Sequence, residues 1–561
     1  MSKRLLRITL LLVLLGALVP LKAQLRYGLG KRANDADYYY TIARSVAEGE
    51  GLKSNLSLYY QGFKTLPHFV TGSPAWPLLL GAVGAVVGLD SAAVWLPNAL
   101  YMLALALLYG LALRLRRGIE VGGGGWLFRD QSVVTLGHVA VLLFATNVVF
   151  FQFSSVPNNE PLALCLVFGA LLALDRAARE CHVGWAFAAG ALAGLAVLTR
   201  IQALAVAIAV PATLVGVALS GARARRVAPM ALVAALLPFV PWLLYLASWN
   251  DAFGLTAVLG LETQRETPEL DVFHHAFFPK SMAAFVVDRL KGVGVAFDPR
   301  SRYSYIAHFG WVAYAVPVAL LHFAWRLLRS GPATWFKLAP ERALPVATVA
   351  TGIGMLLPVH AAHMTFVFEW LFGFRHGLPL ILLIVPALAY LDAHARRIGS
   401  IVVGVLLLTT LIWNVQAMQN LFDRRLHHGL SAGEKQLVTW LDGQSPRPSV
   451  VTTQPWMYGA FSRSGYHWTL CGQSPEQTLK LLRHAGADYV LVRNEKERRC
   501  NFVRGLRPKY LRDVRVFGGG IYVLELRDPD TTAPARAGGA MLGSERPILA
   551  YSVPPLGGTS R

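Results

Sequence analysis

Long apolar runs alternate with short basic stretches along most of this chain. The first run, Ile8 to Leu21, follows Lys3, Arg4 and Arg7. It reads as an uncleaved span with a cytoplasmic N-terminus, the alternative being a signal peptide cut near Leu21-Lys22-Ala23-Gln24. Later runs can be followed by their charged ends. Ala92–Leu113 runs inward to Arg114, Arg116 and Arg117, and Val133–Phe151 runs outward to a short loop, Gln152 to Asn159. Pro161–Leu174 returns to Arg176 and Arg179, Val183–Leu198 goes out to Thr199-Arg200, and Ile201–Leu219 comes back to Arg223, Arg225 and Arg226. Ala228–Ala247 then leads out, Ile306–Leu328 in, Ala343–Ala361 out, Gly377–Leu391 in and Ile401–Val415 out. The short basic loops fall on one side, with Arg200 and Arg375 as the main exceptions. That agreement predicts about eleven spans with the C-terminus outside.

Between the spans lie two outer polar segments, 24–91 and 248–305. In the first, Tyr38 to Val46 predicts a short helix stopped by Glu48-Gly49-Glu50-Gly51. Ser73-Pro74-Ala75-Trp76-Pro77 then opens an apolar stretch of about 13 residues. A span needs about 20, so this stretch predicts an interfacial helix. After residue 418 the pattern changes. Ser449–Thr453, Asp488–Val492 and Gly520–Leu526 read as strands, with Ser474 to Ala485 as a helix between the first two. The expected organisation is a transmembrane domain over 1–418, a small α/β domain over 419–528 and a disordered Pro/Gly/Ala-rich tail over 529–561. The fold class is a polytopic α-helical membrane protein with a small outer α/β domain.

Composition agrees. Residues are 54% hydrophobic and 15% charged, with a mean hydropathy of +0.44, against about 25% charged in soluble domains. The net charge of +21 sits in clusters at span ends, a topogenic pattern and not a basic groove, so nucleic acid is excluded as a partner. No Cys-x-x-Cys or Cys/His spacing for zinc occurs, and Cys471 and Cys500 are placed to pair if their region faces an oxidising compartment.

The chemistry concentrates in Asn34-Asp35-Ala36-Asp37-Tyr38-Tyr39-Tyr40, directly after the first span. Two carboxylates and three tyrosines there must face water or a polar cavity. Asp35 and Asp37 also suit N-capping of the following helix. Asn158 and Glu160 in the second outer loop add oxygen ligands, so Asp35, Asp37, Asn158 and Glu160 form a possible Mg²⁺ or Mn²⁺ set. Glu160 equally suits a helix N-terminus. Arg375, Arg200 and Lys64 lie outside against the positive-inside trend and are candidates for holding a phosphate. Interfacial anchoring is the competing role for the two arginines. His274-His275 with Glu262, Glu266, Glu269 and Asp271 read as a solvated loop, and Asn55-Leu56-Ser57 fits a glycosylation sequon.

An anchor span, an acid- and tyrosine-rich outer loop, Ala43-Arg44, Glu48-Gly49-Glu50-Gly51, Ser73-Pro74-Ala75-Trp76-Pro77, many spans and an outer α/β tail follow one another here. That order resembles the GT-C superfamily of membrane glycosyltransferases, which use polyprenyl-phosphate sugars, over roughly residues 1–500. Its bacterial members include lipid A aminoarabinose transferases and protein O-mannosyltransferase-like enzymes. Asn159-Glu160-Pro161, Leu198-Thr199-Arg200 and Arg375-His376-Gly377-Leu378-Pro379 add to the likeness. The resemblance implies a catalytic first-loop aspartate. Matching on Ala43-Arg44 places it at Asp35, while the Asp-x-Tyr-Tyr form of the oligosaccharyltransferase branch places it at Asp37. Asp35 is the expected base, with Asp37 in support. Tyr38, Tyr39, Glu160 and His376 are the expected substrate contacts, and either no cofactor or a divalent cation is implied. Trp456-Met457-Tyr458-Gly459 resembles the Trp-Trp-Asp-Tyr-Gly signature of oligosaccharyltransferases but lacks its Asp.

The implied activity is inverting transfer of a sugar from a polyprenyl-phosphate donor to an envelope glycan, lipid or protein outside the bacterial inner membrane. Its partners are the donor, an envelope acceptor and membrane lipids. A lipid-linked glycan flippase, an oligosaccharyltransferase-like enzyme and a non-catalytic assembly protein are the rivals. A flippase should carry ionisable groups at mid-span, whereas the acids here gather at the outer boundary.

Overall fold

The computed structural model describes residues 2–24, 34–57, 68–69, 73–119, 127–128, 132–220, 225–249, 309–330, 339–362, 374–394, 396–423, 430–453, 456–459, 461–468, 474–484, 486–493, 500–507 and 509–527. Lys64, the loop 250–305 with its histidine and acid cluster, Cys471 and the tail 529–561 lie outside the described residues.

Among the described residues seven helices are long and apolar enough to cross a membrane, and four shorter apolar helices accompany them. The chain is a polytopic helical membrane protein. Helix α1 (Lys3–Gln24) is followed by α2 (Asn34–Ala47), α3 (Ala75–Val87) and α4 (Leu89–Ile119). Helix α3 has the length expected of the interfacial segment. The expected span Val133–Phe151 is two pieces, α5 (Leu136–Ala145) and α6 (Val148–Phe153). The break has a local cause. Asn147 caps α6, its side chain accepting from Phe150 N, and the Thr146 hydroxyl bonds back to Leu142 O.

Helices α7 (Glu160–Glu180) and α8 (Val183–Thr199) follow, then α9 (Leu204–Ser220), α10 (Val227–Leu236) and α11 (Phe239–Trp249). The last two divide the expected span Ala228–Ala247 at Leu237-Pro238, where proline has no N–H to continue the ladder. Helix α7 is among the most buried spans: 72% of its apolar window is buried, against 83% for Gly377–His394 and 11% for α1. It packs on α4 and α8, and α8 on α10. The α8–α10 approach depends on Gly190 and Gly194. A Cβ at these positions would lie 2.1 Å from Ala231 O and 2.3 Å from Ala235 O. Small residues spaced by four let helix backbones approach where lipid offers no hydrophobic drive.

Near its C-terminal end α7 carries Asp175, which accepts from Arg179 Nε at 2.7 Å and meets Arg114 of α4 at 3.4 Å. Helices Ala315–Ser330, Pro340–Ala362, Ile381–His394 and Arg396–Asp423 complete the bundle.

Beyond residue 430 the chain forms a six-stranded sheet with flanking helices. Its strands are β4 (Ser449–Thr452), β5 (Gly465–Trp468), β6 (Tyr489–Val492), β7 (Leu511–Phe517) and β8 (Ile521–Leu526), together with one strand from far upstream. The first outer loop contains β1 (Lys53–Ser54), β2 (Leu56–Ser57) and β3 (His68–Phe69). Strand β2 adds in parallel to β5, Leu56 opposite Tyr466, giving the order β2-β5-β4-β6-β8-β7. The first outer loop therefore supplies an edge of the C-terminal sheet. Cys500 is disulfide-bonded, while Cys165 and Cys181 are free thiols.

Candidate active site at the outer boundary

Helix α2 starts at Asn34, four residues before the expected helix. Asp35 and Asp37 thus lie in its first turn, where negative charge favours the helix dipole. They are two residues apart, about 200° around the helix, and so face different ways. Asp35 is half-buried and shares a face with Tyr39, four residues on. Asp37 is buried and shares a face with Thr41 and Arg44.

The second face ties α2 to the C-terminal sheet. Arg44 Nη2 donates to Gly459 O at 3.1 Å and Ser462 O at 3.0 Å. Burial lowers the Arg44 pKa, opposed by Tyr40 and Glu48 nearby. Arg463 reaches back to Glu48 at 2.9 Å. Asn55 Nδ2 donates to Ser462 O and Ser464 O at 3.0 and 2.9 Å, so the sequon asparagine is engaged in this contact. Tyr40 donates to Asp90 at 2.5 Å, and burial with that bond raises its pKa far above the ordinary value, leaving the hydroxyl a donor.

The first face looks to the second outer loop. Asn159 Nδ2 donates to Tyr39 Oη and to Thr199 O, each at 2.9 Å. Trp76 Nε1 of α3 donates to Pro157 O at 2.9 Å. From below, Lys22 at the end of α1 donates to Phe151 O at 2.6 Å, Ser154 Oγ at 2.5 Å and Ser155 Oγ at 2.9 Å, over the rings of Tyr101 and Phe151. Four elements thus converge on residues 151–160.

Glu160, 2% exposed, opens α7 and binds Arg200 Nη1 at 2.6 Å, while Arg200 Nε donates to Gln202 Oε1 at 2.6 Å. The predicted phosphate ligand Arg200 and the predicted substrate contact Glu160 are therefore partners of one another. The four-residue metal set is not assembled: among the described residues no three Asp, Glu, His or Cys side chains converge. A guanidinium holds the Glu160 carboxylate, and Asn158 Oδ1 accepts from Asn159 N at 3.1 Å. These second-loop groups do not fit a divalent cation. Arg375 and His376 have their backbone in the 3₁₀ turn Phe374–Leu380, which packs beside α6. Their side chains, like all of Lys64, lie outside the described residues.

Two positions that brace the second loop were not singled out as site residues from the sequence: Lys22, and Asn159, which was noted only within Asn159-Glu160-Pro161. Lys22 carried a usable signal, a lysine at an outer span end against the positive-inside trend. Asn159 had only its place before an acid and a proline at a helix start.

This arrangement of bundle, two braced outer loops and outer sheet can be set beside known proteins. It aligns with the oligosaccharyltransferase of Archaeoglobus fulgidus tethered to an acceptor peptide containing the NVT sequon, at a TM-score of 0.53 and 13% identity, covering 94% of this chain and 75% of that one. It aligns with ArnT from Cupriavidus metallidurans bound to undecaprenyl phosphate, at a TM-score of 0.50 and 13% identity, covering 93% and 97%. The chain has the GT-C fold. Residues 127–245, which include Asn158, Glu160 and Arg200 but not the first loop, match the family described as dolichyl-phosphate-mannose-protein mannosyltransferase. No curated protein matches the chain by sequence. The GT-C resemblance read from the first-loop order thus holds at the level of fold, and at these identities the fold alone is shared.

Proposed function

We propose that this GT-C protein is an inverting glycosyltransferase that takes one sugar from a polyprenyl phosphate at the outer face of the inner membrane. The observation that carries this reading is the joining of the Asp35 face of α2 to the second outer loop, through Asn159 and Tyr39, at the boundary where a lipid head group would lie. In the reaction the acceptor hydroxyl oxygen bonds to the anomeric carbon as the bond from that carbon to the phosphate oxygen breaks. The hydroxyl proton passes to the Asp35 carboxylate, and polyprenyl phosphate leaves as an anion. Fixed positive charge near the departing phosphate lowers the barrier. Arg375 and Lys64 are the preferred sources, because the Arg200 charge is already balanced by Glu160.

The disulfide at Cys500 supports an outer location for the sheet domain, and the basic span ends support an N-terminus inside. The acceptor is an envelope glycan, lipid or protein. An oligosaccharyltransferase-like reading draws on one further observation: the Trp456–Gly459 helix lies against α2, with Arg44 bonded to Gly459 O.

The test uses purified protein in lipid with a panel of polyprenyl-phosphate sugars and an envelope-lipid extract. Acceptor-dependent release of polyprenyl phosphate is expected, falling about 10²- to 10⁴-fold in Asp35→Asn and less in Asp37→Asn. No release from any donor, together with movement of labelled lipid across the bilayer, would replace the transferase by a flippase.

A further inference from the structure

Asn158 is fully buried, and its Nδ2 has no hydrogen-bond partner among the described residues. The direction of the amide is set by the main chain. Its Oδ1 accepts from Asn159 N at 3.1 Å, so a flip would turn two donors on each other. The side chain also lacks freedom to turn away. Pro157 before it is held by Trp76, and Asn159 after it by Tyr39 and Thr199. Glu160, next in line, is held by Arg200. A buried amide donor without an acceptor is destabilising, and native proteins rarely keep one without a use. The neighbours on either side are held, yet this one N–H₂ is left over, in the loop that meets Tyr39 of α2 through Asn159.

We propose that Asn158 Nδ2 donates to an oxygen of the lipid-linked donor and so determines donor affinity, an assignment that rests on the glycosyl-transfer reading above. The acceptor atom is a phosphate oxygen or a sugar hydroxyl, which offer the same chemistry to an amide. A metal role is a different matter: a nitrogen carrying two hydrogens has no lone pair for a cation, and among the described residues no three acid, histidine or cysteine side chains converge. Asn158 therefore acts on substrate directly and neutralises no charge.

The experiment compares wild type, Asn158→Ala and Asn158→Asp as full-length protein in lipid. It measures KM and kcat for the preferred polyprenyl-phosphate sugar, binding of bare polyprenyl phosphate, the effect of added Mg²⁺ or Mn²⁺, and the melting temperature. Asn158→Ala is expected to raise KM about ten- to hundredfold while its melting temperature holds or rises, because an unsatisfied buried donor has been removed. Asn158→Asp is expected to lose more, since an acid would face an anion. Weakened binding of bare polyprenyl phosphate assigns the bond to phosphate. Unchanged binding with a raised KM assigns it to a sugar hydroxyl.

An unchanged KM in Asn158→Ala overturns the proposal, as does a joint fall of melting temperature and activity, which marks a purely structural side chain. Activity of Asn158→Asp that depends on added Mg²⁺ or Mn²⁺ also overturns it. Wild type that turns over no donor sinks the transferase reading instead. In that case, equal binding of the intact polyprenyl-phosphate sugar by wild type and Asn158→Ala sinks this proposal with it.

Discussion

Helix α7 carries an acid held by arginine at each end, and the two ends differ in their exposure to water. At the N-terminal end, the outer one in the proposed topology, Glu160 and Arg200 have side chains 2% and 10% exposed and meet at 2.6 Å. At the inner end Asp175 is as buried, but Arg114 and Arg179 are 28% and 35% exposed. The chemistry is the same and the energetics are not. In the dry pair little water is at hand to compensate either ion, so removing one is costly. In the wet cluster water solvates whatever a mutation leaves behind, and the Arg179–Asp175 contact is an ordinary (i, i+4) helix pair. The inner cluster marks where a span ends. The outer pair holds the start of α7, and with it Asn158 and Asn159, at a fixed distance from α2.

The contrast is sharpest in Arg200→Ala. It takes the guanidinium away from the buried Glu160 carboxylate and should cost about 3–5 kcal/mol, read as a lower melting temperature in detergent or lipid. Restoring neutrality with Glu160→Gln and Arg200→Gln together should recover much of that loss; a double variant as unstable as the single one would break the argument. The next effect lies between the ends of the bundle. Gly190→Val drives a side chain into Ala231 O and should cost about 1–3 kcal/mol or more by parting α8 from α10. Smaller again is Arg179→Ala at the wet end, about 0.5 kcal/mol or less once solvent screening is allowed for. The smallest effect separates the two ends by their response to salt. Raising ionic strength should erase the Arg179→Ala difference and leave the Arg200→Ala difference largely intact. Equal salt sensitivity at both ends would show that the outer pair is as open to water as the inner one.

Much of the bundle was legible because its cause is local. A run of apolar residues with arginines at one end is its own evidence for a span and a direction, so Glu160–Glu180 and Val183–Thr199 lie close to their expected limits. The short apolar helix Ala75–Val87 followed from the length of its apolar run. Broken spans were harder to read. Val133–Phe151 is apolar throughout on average, and its interruption depends on the side-chain bonds of Thr146 and Asn147.

The site divides along the same line. The tyrosine and acid cluster Asp35 to Tyr40 stood out as a candidate because its polarity beside a span is visible residue by residue. Which acid faces the second loop was not visible. It turns on the helix beginning at Asn34 instead of Tyr38, which sets the rotation of Asp35 and Asp37 about the axis.

The sequence by itself determined the membrane class, the span ends and the place where chemistry is concentrated, since hydrophobic transfer and charge asymmetry act on neighbouring residues. Tertiary structure alone decided the partners. Arg200 finds Glu160 forty residues away instead of a phosphate, Asn159 finds Tyr39, and Leu56 of the first loop finds Tyr466 in the C-terminal sheet. The physical reason is that each buried charge, amide or strand edge must be satisfied by whatever group the packed helices bring within reach, and a linear pattern does not encode which group that is.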